Sequence, residues 1–524
     1  MGRVNPLLAA IFPLIYMYAQ NVDQVRLMTA VAVLVPVLIG TFIIMAVAWL
    51  IMRDQARSSV LAVAWLLLFF TYGHILELIA GVNVGGFVIG RVRYLLVAEL
   101  IVVLMAVFLI LRSQQLCLRM TPYITGLLMI PLIFNVFSVG LYHLQKSDTP
   151  SARPSDFQTT TLPAIKRDQL PDIYYIILDS YPRQDVLQGV YGFDNSQFLD
   201  HLEESGFYIA SDSRSNYVFT SLSLSSSLNS GYLQELIGNY DRESTEDSVL
   251  WPLIQENAVV TLAKRMGYRF AFLHSPWRIT KFKSDADDQL STRIKYPLGG
   301  FGRVFFPTFL GSEFGVHFTR TTLLRNALDA GFIRLSANLF SDKIDQLKRI
   351  SEVDDPTFTF AHFYPPHPPY LFNREGDVRN VIFALQSFDD RESYIEQLIW
   401  VNKSITGSVD TILKSNKKNS VIVIQGDHGT AFSDTRDVLF PGGDPDDALI
   451  HERSGILNMY HLPETCEPGN LYKSISPVNT FRVIFNSCWG TDFSLLEDKT
   501  YWSSYNLPYD FKSIKEVVRY NTNQ

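Results

Sequence analysis

The sequence predicts a multi-span α-helical membrane domain followed by an α/β domain with a mostly parallel sheet. Three observations carry this. Apolar residues make up 47% of the 524, and their excess lies almost entirely before Gln145. Residues 145–170 (QKSDTPSARPSDFQTTTLPAIKRDQL) are rich in Ser, Thr, Pro and charge with no apolar period, the texture of a tether. After Pro171, apolar strand-like runs alternate with amphipathic helical ones, as in a parallel sheet with helices on both faces.

Five apolar runs precede the tether, at roughly 5–20, 27–52, 58–80, 94–111 and 122–143. The last four are long enough, or nearly so, to cross about 30 Å of hydrocarbon as helices. The first is short and contains Pro13, so it reads either as a signal peptide's apolar region or as a span. No small-x-small cleavage site follows it, which favours the span. Residues 1–144 are therefore expected to form a transmembrane domain of about five helices, 145–170 a linker and 171–524 a soluble domain. With the N-terminus inside, the inner side carries Arg3, Arg53, Arg57, Arg112 and Arg119, against Arg26, Arg91 and Arg93 outside. That bias and the odd number of spans put the soluble domain outside the cytoplasm. His74 and Glu77 share a helix face near the outer end of the third span, and Glu99 lies near the outer start of the fourth. Such groups either line an access route for a lipid headgroup or snorkel to the interface.

The formal charge, 45 − 52 = −7, and the lack of a basic stripe argue against nucleic acid as a partner. Cys117, Cys466 and Cys488 are too few for a disulfide framework or a cysteine metal site. Cys466 and Cys488 either pair, in an oxidising compartment, or remain thiols.

In the soluble part, Asp172–Leu178 (DIYYIIL) is a near-continuous apolar run, as a strand covered on both faces requires. Asn195–Ser205 reads as a helix closed by Gly206, and Asn257–Met266 as another closed by Gly267. The strand YRFAFL follows; Thr357–His362 and Ser420–Gln425 are further strands, and Tyr394–Lys414 is a long amphipathic helix.

Ligands in open α/β sheets bind beyond the carboxyl ends of the strands. The first strand ends in Asp179 and YRFAFL in His274. TFTFAH ends in His362 and runs on to Tyr364-Pro-Pro-His367, and SVIVIQ ends in Gly426-Asp427-His428-Gly429. Asp427-His428 is the sharpest local signal: a carboxylate beside an imidazole, between glycines, turns two side chains towards one ion. Oxygen and nitrogen donors suit Zn²⁺, Mn²⁺ or Mg²⁺. The plainer reading is a turn with a capping Asp and a solvated His. In residues 215–229 (SNYVFTSLSLSSSLN), Thr220 falls where a helix begins. A hydroxyl there feels the positive end of the helix dipole, which favours the alkoxide and draws an anionic substrate. On pattern alone, an N-cap is the stronger reading of Thr220.

The order of strand and Asp179, then NYxxTxLSLxSSLN, HxxxxHPPY and GDHG, resembles the alkaline phosphatase and sulfatase superfamily. Within it the chain is most similar to membrane-anchored sulfatase-like proteins of bacteria, related to lipoteichoic acid synthase and the phosphoethanolamine transferases. The resemblance covers about 171–510, including ISPVNTFRVIFN, and the anchor and tether match that layout. The combination is specific; no one motif is. The resemblance implies an alkaline phosphatase/sulfatase-like fold, with Asp179, Thr220, Asp427 and His428 holding one divalent metal (Mn, Zn, Mg or Ca). It makes Thr220 the nucleophile as well and His367 a catalytic binder of the transferred group's oxygens. It also places His274, Trp277, Arg278 and His362, with His367, among substrate-binding residues. The first ligand is Asp where those relatives have Glu. The Cys or Ser of a C/S-x-P-x-R box is absent, since SLSL follows Thr220, which speaks against formylglycine chemistry. The Asp-x-x-x-His pair of two-zinc phosphatases is not evident either, so one metal is expected.

The function this implies is metal-dependent transfer of a phosphoryl headgroup from a membrane phospholipid donor to a glycan, lipid or water acceptor. The setting is a multi-pass protein of a bacterial inner membrane, with its catalytic domain outside the cytoplasm. A phosphate or sulfate ester hydrolase is the rival enzyme. A non-catalytic lipid sensor that kept the fold is the rival of another class, disfavoured because all four ligand positions are filled.

Overall fold

The computed structural model describes residues 2–22, 27–79, 92–145, 170–238, 240–245, 249–276, 312–380, 390–415, 419–434 and 443–514, with short pieces between them. The chain divides into two compact units: Met1–Asp148 with Tyr296–Phe332, and Thr149–Lys295 with Ile333–Gln524. The region expected as one soluble domain over 171–524 is thus interrupted, because 296–332 groups with the N-terminal helices.

All five apolar runs are helical: α1 (Asn5–Gln20), α2 (Leu27–Met52), α3 (Gln55–Ile79), α4 (Val92–Arg112) and α5 (Gln114–Gln145). The last four are long and apolar enough to cross a membrane. Helix α1 has 16 residues, a rise of about 24 Å, short of the hydrocarbon thickness. It packs on α5, α2 and α3 through Ala10, Leu14 and Tyr18. Its Asn5 donates to the Thr121 carbonyl (3.0 Å) and accepts from the Thr125 hydroxyl (2.6 Å), the kind of polar cross-link that joins helices where water is absent. Large apolar side chains such as Ile43, Leu104 and Phe134 stay exposed on this unit, as a lipid-facing surface allows and a water-facing one does not.

The α/β unit is built on a six-stranded sheet of β1 (Asp172–Leu178), β2 (Tyr208–Ile209), β3 (Arg269–Leu273), β4 (Thr357–Phe363), β5 (Ser420–Gly426) and β6 (Asn458–His461), in the order β2-β6-β5-β1-β4-β3. The pairs β1·β4, β1·β5 and β3·β4 are parallel; β5·β6 and β2·β6 are antiparallel. Every residue of β1, β4 and β5 is buried, which is why these strands read as unbroken apolar runs. Asp172 Oδ1 accepts the Thr357 amide (2.8 Å) and hydroxyl (3.0 Å), pinning β4 against β1. The register that results pairs Ile177 with His362 and Leu178 with Gly426, so the residues that follow emerge at one edge.

The helices read from glycine stops are present: Ser196–Glu204 before Gly206, and Ala258–Arg265 before Gly267, both glycines at positive φ. The second is capped by Asn257, whose side chain accepts from the Val260 amide. The long helix is Arg391–Lys414, capped by Asp390. The expected tether lies largely outside the described residues, but Phe157 within it is fully buried and stacks 4.1 Å from Phe493. Cys466 and Cys488 form a disulfide with Cα atoms 4.2 Å apart, which decides between the two readings of those thiols.

Candidate active site and metal centre

Residue 179 follows β1 directly, and the chain then turns through Ser180, a non-glycine residue at φ +59°. Such a conformation persists only where neighbours over-determine it. Here the Ser180 amide donates to Asp427 Oδ1 (3.1 Å), its hydroxyl meets His428 Nδ1 (3.2 Å) and its carbonyl accepts from the Tyr394 hydroxyl (3.0 Å). The glycines around Asp427-His428 have a reason as well. A Cβ on Gly426 would lie 2.3 Å from the Tyr181 carbonyl oxygen, and one on Gly429 would lie 2.0 Å from that of Glu452. They admit close backbone passage, which brings Asp427 and His428 over the end of β1.

Asp179, His362, Asp427 and His428 are all at most 2% exposed. His362 Nε2 lies 3.4 Å from Asp179 Oδ2, and His428 Nε2 lies 3.6 Å from both Asp179 Oδ1 and Asp427 Oδ2. Asp179 Oδ1, His362 Nε2 and Asp427 Oδ2 are buried and meet no hydrogen-bond donor or acceptor. One ligand atom from each of these three residues falls within 4.8 Å of the others. The imidazoles are oriented from behind: His428 Nδ1 donates to the Gly429 carbonyl (2.9 Å) and His362 Nδ1 meets the Thr280 hydroxyl (2.7 Å), leaving each Nε2 turned inward.

Charge tells the same story. Burial, then the neighbouring Asp427, pushes the Asp179 carboxyl well above the usual carboxylate range. Burial, then Arg453, holds the His428 imidazole well below its usual range, and burial lowers His362 to about 4. Buried carboxylate oxygens of Asp179 and Asp427 facing the lone pair of a neutral His362 imidazole, three acceptor atoms without a protein donor, form a group that a divalent cation satisfies. Nitrogen and oxygen donors in this mixture fit Zn²⁺, Mn²⁺ or Mg²⁺.

Thr220 is the first residue of the helix Thr220–Ser227. The cap position is Phe219, extended and without a side-chain cap bond. The Thr220 hydroxyl lies 3.1 Å from His428 Nε2 instead. The N-cap reading therefore does not hold, and the hydroxyl faces the carboxylate–imidazole group from a helix N-terminus.

The other sequence candidates are distributed as follows. His367 lies close by, its ring centroid 6.4 Å from that of His428. Gln397 steadies its loop, donating to the Pro366 and His367 carbonyls (3.0 and 3.3 Å). His362, grouped by sequence with substrate-binding residues, joins the ligand cluster. His274 stands after β3, one strand beyond His362, with its amide on the Thr292 hydroxyl (2.8 Å). Trp277 and Arg278 lie outside the described residues.

Sequence reasoning missed Arg453 and Glu452, in helix Asp447–Ser454. Arg453, 5% exposed, donates from Nε to the Val218 carbonyl (2.8 Å) and from Nη1 to that of Gly429 (2.8 Å). Its Nη2 lies 3.4 Å from His428 Nε2. One guanidinium thus links the segment before Thr220 to the loop after His428. Glu452, fully buried, accepts from the Thr430 hydroxyl (2.7 Å) and the Phe432 and Ser433 amides (2.6 and 2.9 Å), fixing the next stretch of that loop.

Fold and site define an α/β protein presenting a buried carboxylate–imidazole group and a helix-initial hydroxyl at the carboxyl edge of a parallel sheet. The chain belongs to the sulfatase family: the family model described as Sulfatase matches residues 171–463, more than half of the chain. Proteins of this superfamily are enzymes. Similar solved structures include the C-terminal periplasmic domain of EcEptC from Escherichia coli, at 12% identity over 72% of this chain and 97% of that one, TM-score 0.39. The integral membrane lipooligosaccharide phosphoethanolamine transferase A from Neisseria meningitidis is similar at 12% identity over 91% and 94%, TM-score 0.41. The putative sulfatase yidJ from Bacteroides fragilis is similar at 13% identity over 66% and 84%, TM-score 0.37. A search of curated proteins found no match.

Proposed function

We propose that the α/β unit is a metal-dependent phosphoryl-headgroup transferase that takes its donor from membrane phospholipid, with Thr220 as nucleophile. The observation that carries this reading is the Thr220 hydroxyl 3.1 Å from His428 Nε2, beside the three unpartnered ligand atoms. Asp179, Asp427 and His428, with Thr220, are the proposed ligands, and His362 is added to them. A divalent metal held there would supply positive charge to the transferred phosphoryl group and would lower the pKa of the Thr220 hydroxyl.

In the reaction, Thr220 Oγ bonds to phosphorus as the bond from phosphorus to the lipid alkoxide breaks. The hydroxyl proton passes to solvent, and the departing alkoxide takes one up from solvent. An acceptor alcohol on a glycan or lipid, or water, then attacks the phospho-threonine and restores the hydroxyl. His367, with Arg278, is proposed to hydrogen-bond the equatorial oxygens as their charge grows. Arg453 anchors the Val218 carbonyl, two residues before Thr220, and sets its Nη2 3.4 Å from His428 Nε2.

The same reading places the chain in a bacterial inner membrane as a multi-pass protein, the α/β unit outside the cytoplasm. The arginine asymmetry of the short loops and the Cys466–Cys488 disulfide, at home in an oxidising compartment, support it. The test is intact-mass analysis after brief exposure to phospholipid. A phosphoryl-headgroup adduct on the peptide carrying Thr220 is expected. An unmodified Thr220 during turnover defeats the mechanism, and release of free headgroup phosphate alone makes the protein a hydrolase.

A further inference from the structure

We propose that residues 312–332 form a second membrane attachment, clasped by α3 and independent of the tether at 145–170. The segment comprises the helix Glu313–Arg320, capped by the Ser312 hydroxyl on the Gly315 amide, and the start of the helix Arg325–Ile350. It belongs to the same compact unit as the five N-terminal helices. Residues from Ile333 onward group with the α/β unit instead.

The clasp rests on backbone as well as side chains. Phe69 and Gly73 of α3 are four residues apart, the carbonyl and amide that an α-helix joins to each other. Here the Gly73 amide donates to the Thr321 carbonyl and the Phe69 carbonyl accepts from the Leu323 amide, both at 2.9 Å. Only glycine permits this approach, since a Cβ on residue 73 would stand 1.9 Å from the Arg320 carbonyl oxygen. Around these bonds, Arg325 Nη1 pairs with Glu77 (2.9 Å) and Asn326 donates to the Tyr72 hydroxyl (3.0 Å). On the apolar side, Phe314 and Phe318 are 4% and 2% exposed, with rings 6.5 Å from Tyr18 and 5.7 Å from Phe70. Apolar burial plus backbone pairing is a combination that high salt does not dissolve, unlike a purely ionic contact. Glu77, open to two readings in the sequence, is an ion-pair partner in this clasp.

The inference does not depend on the proposed activity, and its test uses the full chain in native membranes. A site for a sequence-specific protease is placed at 150–156, the tether is cut to completion, and the membranes are washed with high salt. The C-terminal fragment is expected to stay in the pellet. Its release into the supernatant overturns the proposal. In the same cut protein, Phe314→Asp with Phe318→Asp is expected to release the fragment at least tenfold more; equal retention assigns the attachment elsewhere and also overturns it. Should that variant fail to accumulate, Gly73→Leu, which closes the clasp from the other side, is read by the same two outcomes.

Discussion

Across 208 residues of sequence, the Thr220 hydroxyl meets His428 Nε2 at 3.1 Å, while the cap of its own helix is left to Phe219. A hydroxyl turned to the His428 imidazole rather than to the helix backbone has little structural duty. Thr220→Ala is therefore expected to cost only about 1 kcal/mol of stability and to remove essentially all turnover of a phosphodiester lipid. Thr220→Ser keeps the hydroxyl but loses the methyl that restricts its rotamer, so partial activity is expected. Melting curves and turnover on the same preparations decide it; an active alanine variant ends the nucleophile assignment.

Metal content gives the second prediction. The full chain in detergent is expected to hold about one divalent ion, measured by elemental analysis. His362→Ala is expected to reduce that content as strongly as His428→Ala, because both Nε2 atoms face the Asp179 carboxylate at 3.4 and 3.6 Å. Retention of the ion in the His362 variant would return His362 to a substrate-binding role. A wild-type protein without metal would favour a non-catalytic sensor.

Much of this was legible in the sequence because the central strands are buried on both faces and each runs into a polar residue. Asp179, Asp427 and His428 were found that way, Thr220 was singled out by its place at a helix start and by the family resemblance, and the structure brings the four together. What was not legible depends on contacts remote in sequence. The antiparallel strand Asn458–His461 and the two-residue strand Tyr208–Ile209 are too short to show a period. Arg453 and Glu452 stand in HERS, a polar stretch resembling an exposed helix face. They are buried because the loop after His428 wraps over them, and its glycine at 429 reports that close passage. Phe157 lies within the segment read as a polar tether, yet it packs in the α/β core. The grouping of 296–332 with the helices left no compositional mark that separated it from the soluble sequence around it.

Arg453 should not tolerate lysine. Its guanidinium reaches the Val218 and Gly429 carbonyls at once, both at 2.8 Å, and a single ammonium cannot reproduce that fork. Arg453→Met, which leaves buried carbonyls without donors, is expected to cost on the order of 3 kcal/mol; Arg453→Lys should cost less but still lower turnover at least tenfold. Denaturant midpoints and kcat measured side by side test this. A lysine variant with unchanged kcat would make Arg453 a packing residue only.

The disulfide closes a loop of 22 residues in sequence separation, for which chain-entropy reasoning gives about 3 kcal/mol. Cys466→Ser with Cys488→Ser should lower the denaturant midpoint of the α/β unit accordingly, and reductant should do the same to the wild type. Insensitivity of the wild-type midpoint to reductant would mean that the bond carries little of the stability.

Acid sensitivity supplies the last prediction. Asp185 accepts two bonds from Arg183, both at 2.7 Å, and pairs with His451 at 3.1 Å. Partial burial pushes its carboxyl up, but the hydrogen bonds from Arg183 and His451 outweigh that and hold it well below its usual value of 3.8. A carboxylate whose pKa is depressed by folding stabilises the native state above its unfolded pKa, and that contribution is lost as pH falls towards the folded one. The loss therefore begins near pH 4 and deepens below it. Asp185→Asn removes the titrating group, so the drop in denaturant midpoint between pH 5 and pH 3 should be shallower in the variant than in the wild type. The two proteins share the same Asp179, His362, Asp427 and His428 cluster, so acid effects on those groups are common to both. Parallel pH profiles would show that the Arg183–Asp185–His451 cluster contributes nothing measurable to acid stability.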